Sequence, residues 1–189
     1  MKYCIENELN TMDFHDASIL GVDWDQKGAA DSVLTFTVTG AIVKADNSRN
    51  ELYTDRYADT MNLRFTGVAF QAILLEGHKL YDANDKLIEQ VPDRPFKPEE
   101  YKQVLKRFAN SAVFYAGAPK EKVVENYVNY SVSKTDGISQ DEAVDYGKKE
   151  CFQMIIDTEE EDNPSYVVSF FYDKVTAEFE HFLNKANIM

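Results

Sequence analysis

Two neighbouring residues of this chain, His15 and Asp16, have the side chains of a catalytic or metal-binding pair. A carboxylate can hold an imidazole in one tautomer and raise its basicity, which suits a general base or a metal ligand. Adjacent residues of an extended chain point to opposite faces, so the two groups need a turn in order to cooperate. The structural alternative is that Asp16 caps a turn and His15 has no special role. The pair is a candidate catalytic site on condition that the backbone turns here.

The other potential metal ligands are scattered along the sequence. His78 and His181 lie far from His15, and a metal site needs three or four ligands at about 2.0 to 2.2 Å, which this spacing does not indicate. Cys4 and Cys151 form no Cys-x-x-Cys motif, and each has large apolar neighbours. We interpret both as reduced, small hydrophobic residues. The sequence predicts neither a bound metal nor a cofactor.

The glycines are spaced too widely for the common nucleotide-binding and hydrolase motifs. No two of the eight glycines are closer than seven positions. G-x-G-x-x-G, G-x-x-x-x-G-K and G-x-S-x-G are therefore absent, which removes kinases, P-loop NTPases, Rossmann enzymes and elbow-type hydrolases as motif matches. Because the sequence has none of these motifs, we expect that the protein is not an enzyme.

A segment between two predicted strands combines aromatic and charged residues: Tyr53, Asp55, Arg56 and Tyr57. Tyrosine and arginine often dominate the binding energy of protein interfaces, and tyrosine does so at a low cost in conformational entropy. These four residues are the candidate binding site. The alternative is that the aromatic side chains cover an edge of a sheet.

The chain is acidic, with 20 lysines and arginines against 33 aspartates and glutamates, a net charge of −13. This charge repels phosphate backbones and anionic membranes, so we expect no nucleic-acid or membrane partner. A basic protein partner fits, although acidity can serve solubility alone, and a homo-oligomer stays open. The sequence has no signal peptide and no run approaching the ~18 apolar residues of a membrane span, so we expect a cytoplasmic protein.

Residues Phe14 to Ile19 read F-H-D-A-S-I. They resemble the start of small bacterial proteins of unknown function that begin (F/L)-H-D-x-x-I. The match covers six residues. Some proteins of this kind are thought to be immunity or accessory factors, so the resemblance implies such a role and transfers no site beyond His15 and Asp16.

Alternating apolar and polar residues predict that most of the chain is β-strand. The alternation is clearest from Ser32 to Lys44, where Leu34, Phe36, Val38 and Ile42 should share one face. A preceding strand should place Leu20, Val22 and Trp24 on one face and pair antiparallel with it through a turn at 25–28. A polar surface connection is expected over 78–98. The remaining predicted strands are 60–75 with a bulge or turn at Gly67, 111–116, 122–133, 150–158, 166–172 and, in preference to a helix, 174–183.

Pro98 begins the one predicted helix, near 98–109. Its apolar stripe consists of Tyr101, Val104, Leu105 and Phe108, at i, i+3, i+4 and i+7. We predict a single domain over residues 1–189, of the α+β class with β dominant. Its antiparallel sheet should be a sandwich or strongly curved, with this helix packed on it.

The predicted function is a non-enzymatic protein-binding or interaction module of the immunity or inhibitor type. The alternative is an enzyme or metal-dependent protein that uses a site at His15 and Asp16.

Overall fold

The computed structural model of this chain describes residues 2–26, 31–119, 149–159 and 164–183. Within these residues, strands dominate and helical structure is short. In chain order the strands are β1 Tyr3–Glu6, β2 Met12–Asp13, β3 Ser18–Asp25, β4 Val33–Thr39, β5 Ile42–Val43, β6 Arg56–Tyr57, β7 Met61–Thr66, β8 Ala69–Leu75, β9 His78–Tyr81, β10 Leu87–Val91, β11 Arg94–Pro95, β12 Ser111–Gly117, β13 Glu150–Asp157, β14 Ser165–Tyr172 and β15 Lys174–Phe179.

Ten of these strands form one sheet in the order β1-β15-β7-β4-β3-β12-β13-β14-β8-β11, with every neighbouring pair antiparallel. The strands β7 and β8 are consecutive in the chain but far apart in this order, and so are β14 and β15. The centre is narrow, because β3 and β12 pair through two residue pairs, Ile19 with Ser111 and Ser18 with Ala112. The predicted β-dominant antiparallel fold is confirmed.

The two halves of the sheet face each other across an aromatic core. The Phe65 ring of β7 lies 5.1 Å from that of Phe152, 4.9 Å from that of Phe170 and 5.1 Å from that of Tyr172, all on the other half. Phe36 of β4 also stacks on Phe170. Large buried rings with edge-to-face contacts supply much of the apolar burial that stabilises such a core.

The chain passes between the halves at two adjacent corners. Gly67, with φ of +65°, separates β7 from β8, and Asp173 separates β14 from β15. The Nζ atom of Lys149 donates to the Gly67 carbonyl at 2.7 Å and lies 2.7 Å from the Asp173 carboxylate. The Asp173 N–H donates to the Thr66 carbonyl at 2.9 Å. The predicted turn at Gly67 is therefore confirmed.

The predicted helix is also confirmed, with a 3₁₀ turn Pro98–Glu100, an α-helix α1 Tyr101–Leu105 and a 3₁₀ turn Lys106–Phe108. All four residues of the predicted stripe are buried: Tyr101, Val104, Leu105 and Phe108. The Tyr101 ring packs on Phe70 of β8 at 5.2 Å, and the Phe108 ring on Tyr166 of β14 at 5.3 Å. The stripe thus seats the helix on the sheet. Among the described residues, no helix has the length and apolar character needed to cross a membrane.

Two predicted strands change phase where the backbone departs from regular pairing. The strand expected over 32–44 breaks at Gly40, whose φ is +83°, so Val43 is buried and Ile42 is only half-buried. In β3 the pairing with β4 confirms the predicted hairpin partners, but a register shift between Ile19 and Gly21 leaves Leu20 46% exposed. The prediction that Leu20 shares a face with Val22 and Trp24 is wrong, because the bulge reverses the alternation of side chains and only Val22 and Trp24 pack against the core.

The expected surface connection over 78–98 contains regular structure. β9 and β10 form a separate antiparallel hairpin, and β11 pairs with β8. The strand predicted over 174–183 is confirmed as β15, and β13 is buried on both faces as expected of a central strand. The predicted strand 122–133 and half of the turn, residues 27–28, lie outside the described residues.

Candidate functional site

The backbone does turn at His15 and Asp16. Asp16 has φ of +63°, and its carboxylate lies 3.1 Å from Nδ1 of His15. The His15 N–H donates to Oδ1 of Asp13 at 2.9 Å, so Asp13, rather than Asp16, caps the turn. The Asp16 N–H donates to the Val113 carbonyl of β12 at 2.9 Å, which fixes the turn against the sheet. The left-handed conformation of Asp16 thus brings the two predicted side chains together.

The pair lies at the surface of the molecule. The His15 side chain is 56% exposed and the Asp16 side chain 87%, so water competes for both charges. Within the described part of the chain, no group of three His, Cys, Asp or Glu side chains is placed to hold a metal ion. His78 lies on β9 and His181 beyond β15, so the structure does not gather the three histidines.

A second histidine–carboxylate contact joins residues 122 positions apart. Asp59 accepts the N–H groups of Glu180 and His181, each at 3.1 Å, and lies 3.2 Å from Nδ1 of His181. The Asp59 carboxylate therefore caps the chain where it leaves β15. No local motif could have revealed this pair, because it forms only when the two segments meet in the fold.

Cys151 has the character of a packed side chain. Burial raises the pKa of its thiol to about 11, so at neutral pH very little thiolate is present. Its Sγ lies 3.7 Å from Oε1 of Gln71 on β8. This environment fits the predicted structural role better than a nucleophile.

The predicted binding residues divide into two sets. Arg56 and Tyr57 form β6, which pairs with β5 at the edge of a small three-stranded sheet of β2, β5 and β6. The Arg56 guanidinium lies 3.9 Å from the centroid of the Phe182 ring. Asp55 accepts the Ala45 N–H at 2.9 Å. These contacts hold the segment in place.

Tyr53, by contrast, projects from the molecule. It is 86% exposed, and its neighbour Leu52 is 60% exposed. Tyr53 also has φ of +51°, a conformation that non-glycine residues rarely adopt and that tends to be retained where surrounding structure enforces it. The two side chains form the tip of the segment from Lys44 to Asp55, called here the 44–55 loop.

Two buried asparagines frame this loop from inside. Nδ2 of Asn50 lies 3.1 Å from the Val43 carbonyl, 2.9 Å from that of Lys44 and 2.7 Å from that of Thr54, so one amide gathers both ends of the loop. Asn47 donates to Oγ1 of Thr11 at 2.6 Å. Because these amides satisfy main-chain carbonyls and a buried hydroxyl, the loop has a defined conformation.

Glu8 ties the outer side of the loop to the N-terminal segment. Its carboxylate accepts the Ser48 hydroxyl at 2.5 Å and the Ser48 N–H at 3.0 Å. These hydrogen bonds hold the pKa of Glu8 below its usual value, since they favour the ionised form. Glu8 and Ser48 are 40 positions apart, so no local sequence pattern indicates this contact.

An open depression of about 680 Å³ lies beside the tip of the loop. It is lined by Ala45, Asp46, Asn47, Ser48, Asn50, Glu51 and Tyr53. Two carboxylates and several amide and hydroxyl groups make it polar and acidic. It is open and polar, whereas deep apolar pockets are typical of small-molecule sites.

A second exposed surface was missed by sequence reasoning, the hairpin of β9 and β10. Its large apolar side chains are exposed: Leu80, Tyr81, Leu87, Ile88 and Val91. The signal available was a pair of short apolar runs on either side of the turn residues 82–85. It was weak because neither run alternates regularly between apolar and polar residues.

No family model, no curated protein and no solved structure matches the chain. The function must therefore be argued from the chemistry of these surfaces.

Proposed function

We propose that this protein is a non-enzymatic, cytoplasmic protein-binding module of the immunity or inhibitor type, with a basic protein as its partner. The observation that carries the proposal is the 44–55 loop, a hydrogen-bonded frame that presents Leu52 and Tyr53 to solvent. Large apolar side chains held outward at a fixed position are typical of interface anchors.

The frame matters because binding is weakened by the entropy lost when a loop becomes ordered. In this loop Asn47, Asn50 and Glu8 already fix the main chain through hydrogen bonds. A partner that covers Tyr53 would therefore order little more than two side chains, and tyrosine has few rotatable bonds to restrict.

Charge supports a basic partner. The chain has a net charge of −13, and the carboxylates of Asp46 and Glu51 line the depression beside Tyr53. An acidic surface of this kind accelerates the approach of a cationic protein and disfavours acidic ones. Such steering weakens as salt screens the charges.

The test is capture of partners from native-cell lysate on the immobilised full-length chain, with captured proteins identified by mass spectrometry and then purified for titration. We expect a basic protein to be retained at low salt and less at moderate salt. Tyr53→Ser should lower its affinity by about tenfold or more, as for an interface anchor, and Leu52→Ser should lower it by less. Leu20→Ser is the matched control, since Leu20 is also an exposed leucine but lies on β3. Equal affinity of all three variants for the purified partner contradicts the proposal.

The 3.1 Å contact between His15 and Asp16 supports the alternative, an enzyme or metal-dependent protein. His15→Ala and Asp16→Ala separate the two functions. A binding module should keep its partner in both variants and lose it when Asp46 and Glu51 are replaced by lysine. Loss of the protein's measurable properties in the histidine and aspartate variants alone would favour the alternative.

A further inference from the structure

The hairpin of β9 and β10 is an incomplete sheet. It has two strands, and every residue of both is exposed. Among the described residues no third strand pairs with either of them. Two-stranded hairpins are marginally stable in water, and a third strand or a packing surface is what usually completes them.

The exposed apolar residues lie on both faces of this hairpin. The cross-strand register places Tyr81 opposite Leu87, and His78 opposite Val91. Residues that face each other across antiparallel strands project from the same side of the sheet. Since Leu80 alternates with Tyr81, each face presents at least one large apolar side chain to solvent.

The outer edge of β9 has regularly spaced main-chain groups and pairs with no strand among the described residues. The Asp82 N–H, just beyond β9, donates to the Lys86 carbonyl at 2.9 Å, so it points towards the β10 side. Main-chain groups alternate in direction along an antiparallel strand, so those of Leu80 face β10 and those of Lys79 and Tyr81 face outward. The β10 edge differs, because a register shift between Leu87 and Glu89 interrupts it. Bulges of this kind protect an edge from pairing.

We infer that the β9 edge receives an extended, basic strand of a partner protein by strand addition. Main-chain hydrogen bonds to Lys79 and Tyr81 would set its register, and apolar side chains at alternate positions would cover the face of the hairpin that carries Leu80. The net charge of −13 favours a basic partner strand, because it attracts a cationic strand and repels a second copy of the chain. This surface is separate from the 44–55 loop, and the inference shares with the proposed function only the basic partner.

The probe for this inference is a fluorescent ten-residue peptide of alternating lysine and valine, titrated into the full-length protein by anisotropy at low salt. A glutamate–valine peptide of equal length is the control for charge. We expect saturable binding of the lysine–valine peptide alone, with slower hydrogen exchange at the amides of Lys79 and Tyr81. The binding should weaken as salt is raised.

Two substitutions at Lys79 distinguish the contribution of its main-chain N–H to binding from that of its charge. Lys79→Pro removes an outward N–H, whereas Lys79→Ala removes the same charge and keeps the N–H. Because loss of a positive charge should favour a cationic peptide, Lys79→Ala should bind as tightly as the native protein or more tightly. Lys79→Pro should bind about tenfold more weakly than Lys79→Ala, as expected for the loss of one edge hydrogen bond. Leu80→Ser, with its backbone intact, should also weaken binding.

Several outcomes overturn the inference: no saturable binding, equal binding of the glutamate–valine peptide, or equal affinities of Lys79→Pro, Lys79→Ala and Leu80→Ser. Concentration-dependent dimerisation that Lys79→Pro abolishes would also overturn it, by showing that a second copy occupies the edge. Tyr53→Ser should bind the peptide like the native protein. A failure of the loop proposal is therefore distinguishable from a failure of this one.

Discussion

Gly67 shows how one residue sets the path of the chain through the molecule. At this corner β7 leaves one half of the sheet and β8 enters the other, while Asp173 makes the equivalent passage beside it. Lys149 is only 10% exposed and binds both corners through the Gly67 carbonyl and the Asp173 carboxylate. A buried ammonium needs such partners because burial without them is costly. The corner therefore depends on a glycine, a lysine and an aspartate together.

We predict that Gly67→Ala destabilises the protein by roughly 2 to 4 kcal/mol. Its φ of +65° disfavours any side chain, and an added Cβ would lie 1.7 Å from Oδ2 of Asp173. Gly21→Ala is the matched control, because a Cβ there meets nothing within 4 Å. Its effect should be within about 1 kcal/mol of zero. Urea unfolding followed by tryptophan fluorescence measures both, and similar midpoints for the two variants would contradict the role assigned to this corner.

At the scale of elements, the helical segment packs on the sheet through a narrow stripe of apolar side chains. Phe108 is fully buried and its ring packs on Tyr166 of β14, while the opposite face of α1 is exposed at Gln103. The segment is too short to be stable alone, since isolated helices below about 12 residues are marginal in water. Its order must come from this packing.

Phe108→Ala should therefore lower the free energy of unfolding by about 3 to 5 kcal/mol, the range for removing a buried phenylalanine. Gln103→Ala, on the exposed face of the same helix, should change it by less than about 0.5 kcal/mol. Thermal or urea unfolding of the two variants checks the difference. A small effect of Phe108→Ala would mean that the helix is not seated on the sheet by its apolar stripe.

The elements that the sequence predicted are those with one buried and one exposed face. Leu34, Phe36 and Val38 of β4, and the stripe of the helix, point inward as their spacing requires. The errors arise where the main chain departs from regular strand geometry, as at Gly40 and at the bulge after Ile19, because the side chains that follow then change face. The β9–β10 hairpin escaped prediction because a hairpin exposed on both faces has no periodicity of burial to detect.

The candidate sites also divide into features that the sequence indicates and features that only the fold creates. His15 and Asp16 are adjacent, so their contact could be anticipated once a turn was assumed. The frame of the 44–55 loop could not, because Glu8 reaches Ser48 and Asn47 reaches Thr11 only in the folded chain. Tyr53 was predicted from its residue type alone, whereas its exposure depends on that frame.

At the scale of the whole molecule, the fold joins distant parts of the chain. β1 pairs with β15, so residues near 5 meet residues near 177, and β7 lies between β15 and β4. Such pairings stabilise the chain only after distant segments have come together at a cost in entropy, which slows folding. They also hold an acidic chain compact against its own repulsion, because a net charge of −13 favours expansion.

We predict that salt stabilises this protein at neutral pH and that most of the effect appears below about 0.15 M. In that range the Debye length falls from about 30 Å to about 8 Å, so repulsion among the carboxylates is screened first. Each kcal/mol of repulsion removed should raise the melting temperature by about 2 to 4 °C for a chain of this size. Calorimetry in 0.01 to 1 M sodium chloride gives the profile. Near the sequence pI of about 4.6, where the net charge approaches zero, the same series should be nearly flat. A rise that continues linearly to 1 M at neutral pH would instead indicate a general salting-out effect on apolar burial.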